Sequence, residues 1–299
     1  MTTTRSSYQR KIGLLDRVRE FWTLYKLQTR ELEYIDRKID GIDGMRARIE
    51  GHLGYPLVGR EVLEIGPGQR SPHMYYFSKD NRYVGIDIEK RLVDPGFWDL
   101  WEVFRTNGAM RALKTMSRIV LGLDRAFKER IAARIGAAEF EPELIRMDAA
   151  AMTFENERFD FVFSVLVFEH LPDPGQVMKE IARVLKPGGC AYILTDLYTS
   201  NTGIHDPSLF LGEQKTPYWA HLRPEHAHLV RSNCYINKRR LADYRADFET
   251  IWPGCQIKLI RQEHLAPELA KIRAAGELSE YTDEELLSPV IDTIWVKQS

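Results

Sequence analysis

The chain has no long hydrophobic run. No stretch approaches the roughly 18 uninterrupted apolar residues that a membrane span requires, and no apolar segment follows the opening Met1-Thr2-Thr3-Thr4-Arg5. A transmembrane anchor and a secretory leader are therefore not expected, and a soluble, cytoplasmic protein is. Cysteine is scarce: Cys190, Cys234 and Cys255 are odd in number and far apart. That excludes a disulfide framework and a Cys-x-x-Cys metal knuckle, and it suits a reducing compartment. Nor does one sign of charge dominate, since 42 Lys and Arg face 43 Asp and Glu for a net charge of −1. A nucleic-acid partner, which usually shows as a basic excess, is not expected. Internal repeats and low-complexity stretches are missing as well.

What the 299 residues do contain is 44% apolar side chains, enough for one large or two small domains with a real core. Residues 8 to 50 carry apolar positions at helical spacing, including Ile12, Leu15, Val18, Trp22, Tyr25, Leu32, Ile35 and Ile39. We read 1–54 as a helical N-terminal cap, punctuated at Gly41 and Gly44. It could cover a site, serve as a homodimer arm or buttress the domain that follows.

From Tyr55 onward, strand and helix alternate, giving a second domain over 55–299. Val62 to Ile65 reads as a strand, Ser71-Pro72 as an N-cap followed by a first helical residue, and Tyr83 to Ile88 as a second strand ending in acid. A strand-helix-strand unit of this length implies parallel pairing. Further strands fall at Glu143–Asp148, Phe159–Leu166, Cys190–Thr195, Gln256–Arg261 and Asp292–Lys297, with Lys186-Pro187-Gly188-Gly189 as a turn after a helix. The expected fold is α/β: a Rossmann-like, doubly wound, seven-stranded sheet, mostly parallel with an antiparallel last strand.

A helical insertion at 94–140, opening on Asp94-Pro95-Gly96, interrupts this alternation. It carries Phe97, Trp98, Leu100, Trp101, Val103 and Phe104, and then Arg111, Lys114, Arg118, Arg125, Lys128, Arg130 and Arg134 against Asp124 and Glu129 alone. Residues 97–134 suit a lid over an apolar or acidic substrate, or a surface that meets lipid headgroups. A core stripe with a solvated basic face is the plainer reading.

Ligands of an open parallel sheet bind at the carboxyl ends of its strands, near the point where strand order reverses. Four signals meet there: the Gly66-Pro67-Gly68 turn, Asp87, Asp148, and the exit from Ser164 to His170. An acid after the second strand can accept hydrogen bonds from two ribose hydroxyls, and Asp148 can accept from an adenine amino group. A nicotinamide dehydrogenase would need a third glycine where Ser71 stands.

Taken in order, these segments resemble class I S-adenosylmethionine-dependent methyltransferases. Leu63-Glu64-Ile65-Gly66-Pro67-Gly68 is similar to the family's first motif, Val84-Gly85-Ile86-Asp87-Ile88 to its ribose acid and Met147-Asp148-Ala149 to its adenine contact. Phe159-Asp160-Phe161-Val162, Glu169-His170-Leu171-Pro172 and Leu185-Lys186-Pro187-Gly188-Gly189 continue the series. The resemblance implies S-adenosyl-L-methionine as cofactor. It assigns Glu64, Gly66, Pro67, Gly68, Asp87, Ile88, Met147, Asp148, Ala149 and Ser164 to its binding.

Methyl transfer from a sulfonium is an in-line displacement, so positioning supplies much of the catalysis. An alcohol must also lose a proton, and histidine is the usual acceptor near neutral pH. His170, His205 and His221 are the candidate bases. A divalent metal on His221, His226 and His228, with Asp196 or Asp206, is a further option, but that histidine spacing is not a recognised tetrahedral pattern and does not favour it. His221-Leu222-Arg223-Pro224 also resembles a stretch that borders the acceptor pocket in this family.

The expected function is therefore methyl transfer to a small-molecule acceptor at a hydroxyl oxygen, in small-molecule biosynthesis. A lipid-linked or acidic substrate at a membrane surface is one alternative. A non-catalytic cofactor-binding partner subunit is the other.

Overall fold

Nearly unbroken apolar sequence, suited to strands buried on both faces, forms the centre of a sheet. In the computed structural model, which describes residues 22, 25, 26, 29–68, 70–89, 96–137, 140–206, 209, 212, 214–230, 232 and 234–298, that centre is β1 (Glu61–Ile65) flanked by β2 (Arg82–Asp87) and β4 (Phe159–Val165). Leu63 stands opposite Val84 on one side and Val162 on the other, both in parallel register. Next to β2 lies β3 (Glu143–Arg146), with Ile86 opposite Ile145.

With β5 (Leu185–Asp196), β6 (Gln256–Ile260) and β7 (Val290–Val296), the order is β3-β2-β1-β4-β5-β7-β6. The winding reverses between β1 and β4. Strand β7 runs antiparallel to β5: the Gly188 N–H donates to Lys297 O at 2.8 Å, that of Lys297 returns to Gly189 O at 3.0 Å, and that of Leu197 donates to Pro289 O at 2.7 Å. These bonds draw Lys186–Gly189, expected as a turn, into β5. The doubly wound, mostly parallel seven-stranded expectation is met.

Contacts divide the chain into two compact units. One holds Leu166–Pro174 and Ile193–Thr293, the other Gln28–Val165, Gly175–Tyr192 and Ile294–Ser299.

In the latter, α1 (Ile35–Leu53) buries Ile35, Ile39, Ile42, Met45 and Ile49, a stripe at helical spacing. It packs on α2 (Pro72–Ser78) and on α5 (Leu123–Ile135). Gly41 and Gly44 were expected to break it, yet one helix passes through both. Each glycine costs about 1 kcal/mol relative to alanine, and the continuous buried stripe outweighs that cost. The helix ends instead at Gly54, whose φ of 73° closes a left-handed cap on Glu50 O. Ile12, Leu15 and Val18, like Asp94 and Pro95 of the insertion, lie outside the described residues.

The insertion is three helices, α3 (Asp99–Asn107), α4 (Ala109–Val120) and α5. Helix α5 buries Leu123, Phe127 and Ile131. The insertion leaves apolar groups outside: before α3, Trp98 is 95% exposed and Phe97 63%, and within α3 and α4 Trp101 is 70% exposed, with Phe104, Leu113, Met116 and Val120 also exposed. The basic face is less open than the insertion's own sequence suggested. Arg134 pairs with Asp40 at 2.6 Å and Asp36 at 3.6 Å, both from α1, and Arg118 lies 3.3 Å from Asp124.

The unit containing Ile193–Thr293 carries its own core around Trp219, Leu265, Leu269, Leu278, Leu286 and Leu287. The Trp219 indole N–H donates to Leu286 O at 3.2 Å. Helix α6 (Pro174–Val184) precedes β5, and helices α7 (Leu241–Ile251), α8 (Ala266–Ala274) and α9 (Asp283–Leu287) belong to the unit with this core. Among the described residues no helix is long and apolar enough to cross a membrane.

Candidate functional site

The turn after β1 is built from below by one carboxylate. Glu64, 3% exposed, accepts hydrogen bonds from the Ser71 hydroxyl at 2.8 and 3.0 Å and from the Tyr83 hydroxyl. Ser71 in turn accepts from the Met74 N–H at 3.2 Å and so caps α2. Burial pushes the Glu64 carboxyl up to about 7 against the pull of its two hydroxyl donors.

Gly66 and Gly68 have φ of 73° and 65°, which side chains adopt at a cost, and the Gly66 N–H is held by Ile86 O at 2.8 Å. Pro67 rests against Gly85 of β2. A Cβ at Gly85 would meet Leu144 Cδ2 at 2.7 Å and Pro67 Cγ at 3.0 Å.

The other expected cofactor residues stand at the ends of neighbouring strands. Asp87 closes β2 and accepts from the Glu89 N–H at 2.8 Å, with Ile88 half exposed beyond it. Asp148, exposed after β3, accepts from the Ala150 N–H at 2.9 Å. Met147 is partly exposed and Ala149 buried. Ser164 is fully buried and donates to Ile65 O at 3.0 Å, which ties β4 to the end of β1.

A second group assembles where the chain leaves β4. Glu169 is 1% exposed, and its Oε2 accepts from the Thr195 hydroxyl at 2.9 Å. Its Oε1, also buried, has no hydrogen-bond partner. That oxygen lies 3.7 Å from Nε2 of His170 and 3.8 Å from Nε2 of His205, beyond hydrogen-bond range. His205 Nε2 is 3.0 Å from Asp196 Oδ2, and the two rings stand edge to face with centroids 5.0 Å apart. Cys234 approaches the same rings.

Burial, then the charge of Asp196, raises Glu169 to about 7. Burial alone would lower His205, but Asp196, Cys234 and Glu169 overcome it and push the ring up to about 10. That environment favours the protonated ring at neutral pH. Its backbone is left-handed, at φ 57°, which costs a non-glycine residue about 1 kcal/mol or more and recurs at functional sites.

His170 is held differently. Its Nδ1 lies 2.7 Å from Tyr235 O, and because a carbonyl only accepts, Nδ1 carries a proton, so that in the neutral ring Nε2 has the lone pair. The turn beneath it is fastened by Asn237, whose amide donates to Phe168 O at 2.8 Å and Leu171 O at 3.0 Å while its N–H donates to Glu169 O at 2.8 Å.

His221 is not brought to this group. Its Nε2 donates to Tyr198 O at 2.8 Å, its ring packs edge-on against Tyr198, and burial drives it down to about 4. Arg223 beside it grips Glu277 at 2.6 and 2.8 Å. Both side chains are thus engaged in ties within their unit. Among the described residues, His226 and His228 join no metal-ligating group, and the two groups found centre on His205 instead. Sequence reasoning missed Thr195, Cys234, Tyr235 and Asn237. The one available signal was the pairing of an unassigned cysteine with polar neighbours in the irregular stretch before α7.

A family described as a methyltransferase domain matches residues 106–193, from the end of α3 to within β5. Cycloartenol-C-24-methyltransferase 1 of Oryza sativa subsp. japonica is 36% identical over 80 residues, 25% of this chain and 22% of that protein. The chloroplastic tocopherol O-methyltransferase of Arabidopsis thaliana is 30% identical over 117 residues, 36% of this chain and 33% of that protein. The chain thus spans about a fifth to a third of the length of these relatives. Phosphoethanolamine N-methyltransferase 2 of Haemonchus contortus, solved with S-adenosyl-L-methionine, has a TM-score of 0.45 at 16% identity, covering 86% of this chain and 53% of that one.

Proposed function

We propose, from the premise that the chain is a class I S-adenosylmethionine-dependent methyltransferase, that it methylates a hydroxyl oxygen of a small molecule. S-adenosyl-L-methionine is the donor. Gly66, Pro67 and Gly68 let its methionine portion approach backbone, Asp87 accepts from the ribose hydroxyls, and Asp148 faces the adenine with Ile88, Met147 and Ala149 alongside. Glu64 and Ser164 act from beneath, the first by fixing Ser71 and the turn, the second by joining β4 to β1.

Transfer to an oxygen requires that the acceptor proton be taken up as the C–O bond forms and the C–S bond breaks. The observation that carries this reading is the His170 tautomer: the Tyr235 carbonyl holds the Nδ1 proton and leaves Nε2 as base. His205, already protonated, stabilises the negative charge of Glu169 and Asp196 and is not the base in this reading. His221, tied to Tyr198, is left out of the chemistry.

The test is S-adenosylhomocysteine release across a panel of small phenols, alcohols, amines and carboxylates. Turnover confined to hydroxyl acceptors is expected, whereas turnover confined to amines or carbon acceptors would overturn the reading. No turnover on any acceptor, with cofactor bound, would leave the non-catalytic partner subunit.

The exposed aromatic groups at the start of the insertion and along α3 favour a second reading, an amphipathic or lipid-linked acceptor met at a membrane surface. Trp98 and Trp101 have the amphipathic rings that settle at headgroup level. Co-sedimentation with anionic vesicles, weakened by Trp98→Ala with Trp101→Ala, supports it; vesicle-independent behaviour removes it.

A further inference from the structure

The group around Glu169 does more than position one ring. It gathers two imidazoles, a thiol and two carboxylates from four separate stretches, in the neighbourhoods of residues 169, 196, 205 and 234. The donor atoms of His170, His205 and Cys234 lie within 4.8 Å of one another, and so do those of Glu169, Asp196 and His205. Glu169 Oε1 is the telling atom. It is buried, it lacks a hydrogen-bond partner, and two ring nitrogens face it at 3.7 and 3.8 Å.

An orphaned buried carboxylate oxygen is costly. The His205–Asp196 contact at 3.0 Å does not relieve it. Separations of 3.7 and 3.8 Å are too long for a hydrogen bond. They are a few tenths of an ångström longer than the roughly 3.4 Å edge between two tetrahedral ligands about 2.1 Å from one ion.

The His170 ring is also prepared for such a role. Its Nδ1–H is held by the Tyr235 carbonyl at 2.7 Å, so Nε2 presents a lone pair towards the group. Metal-bound imidazoles carry the same outer hydrogen bond, which fixes tautomer and orientation.

We propose that Glu169, His170, His205 and Cys234, closed by Asp196, bind a divalent transition-metal ion of the zinc class. Two nitrogens and a thiolate select such an ion over magnesium or calcium, which take oxygen ligands. The carboxylates supply the negative charge that balances it. Binding itself does not rest on the methyl-transfer reading; only its consequence does. A hydroxyl acceptor that joined the ion would lose its proton more readily, so that His170, as a ligand, would act on the acceptor through the ion and not as the base of the methyl-transfer reading.

The full chain, stripped with a chelator and exchanged into metal-free buffer, is titrated with Zn²⁺ by calorimetry and with Co²⁺ by visible absorption. One saturable ion per chain is expected, with a thiolate-to-cobalt band that Mg²⁺ does not displace. His170→Gln and Cys234→Ser should each weaken Zn²⁺ by at least about tenfold while keeping the wild-type circular dichroism. His228→Ala, on an exposed histidine outside the group, should bind as the wild type does. Absence of saturable binding, or equal affinity in all variants, overturns the site.

Methyl transfer measured on the same samples keeps the two readings apart. Turnover without any ion binding removes the metal site and leaves the methyltransferase. Ion binding without turnover on any acceptor supports the site and counts against the function.

Discussion

Glu64 and Glu169 are the same residue in nearly the same degree of burial, and burial drives both carboxyls up to about 7. Their partners divide them. Glu64 has donors on both oxygens, Ser71 and Tyr83, neither of which titrates near neutrality, so its carboxyl is a fixed strut under the β1 turn. Glu169 has Thr195 on one oxygen and two histidines standing off the other. A satisfied buried acid makes structure, while a half-satisfied one beside titratable rings is poised for chemistry.

The largest effect expected from this contrast falls on the second group. His170→Ala should lower kcat by about 10² to 10⁴-fold with S-adenosylhomocysteine affinity retained, read by steady-state kinetics and calorimetry. Unchanged kcat would make His170 a strut like Glu64 and dissolve the distinction.

Next comes stability against pH. The folded carboxyl of Glu64 titrates near 7, above its unfolded value of about 4.5. Its folded form is therefore not penalised below pH 4.5, loses stability as pH rises from 4.5 to 7, and carries the full penalty above that. The amide of Glu64→Gln can still meet Ser71 and Tyr83, so the variant should gain on the wild type across that window, by on the order of 3 kcal/mol at most. Glu169→Gln has the same sign but forfeits the charge that keeps His205 protonated, an interaction that stabilises below pH 6.5 and fades as pH rises through about 10. Its gain at pH 8 should be the smaller of the two in urea unfolding. Equal gains would mean that Glu169 and His205 do not interact.

Asp87→Ala tests the strut's purpose. Loss of the acid after β2 should weaken S-adenosylmethionine by about tenfold or more, seen in the calorimetric Kd. An unchanged Kd would leave the β1 turn a structural feature only. The smallest effect belongs to Ser71→Ala, which removes the α2 cap and one donor to Glu64 and should cost about 1 kcal/mol in thermal unfolding, with no change in kcat.

The Glu64 side of this contrast was largely legible in the sequence. The strand, the glycine turn, the Ser-Pro cap and the following acid are written within residues 62 to 88, and each follows from local rules. The Glu169 side was legible only in part. Glu169-His170 was visible as a motif, but Tyr235, which sets the tautomer, lies 65 residues further along. Cys234 looked idle because cysteine arithmetic searches for pairs.

His221 shows the same limit: the local pattern named it, but its hydrogen bond to a carbonyl 23 residues earlier is not written in that pattern. Gly41 and Gly44 failed as stop signals because helix ends depend on where the buried stripe stops, and here it runs on to Ile49.

One glycine without any ligand role has a consequence for how this chain can change over time. Pro67 leans on the bare backbone of Gly85, where even a methyl group would press on Pro67 and Leu144. The glycine turn and the second-strand acid motif are therefore sterically joined: a side chain at position 85 is accepted only if the Leu144 end swings away and Pro67 gives by a few tenths of an ångström.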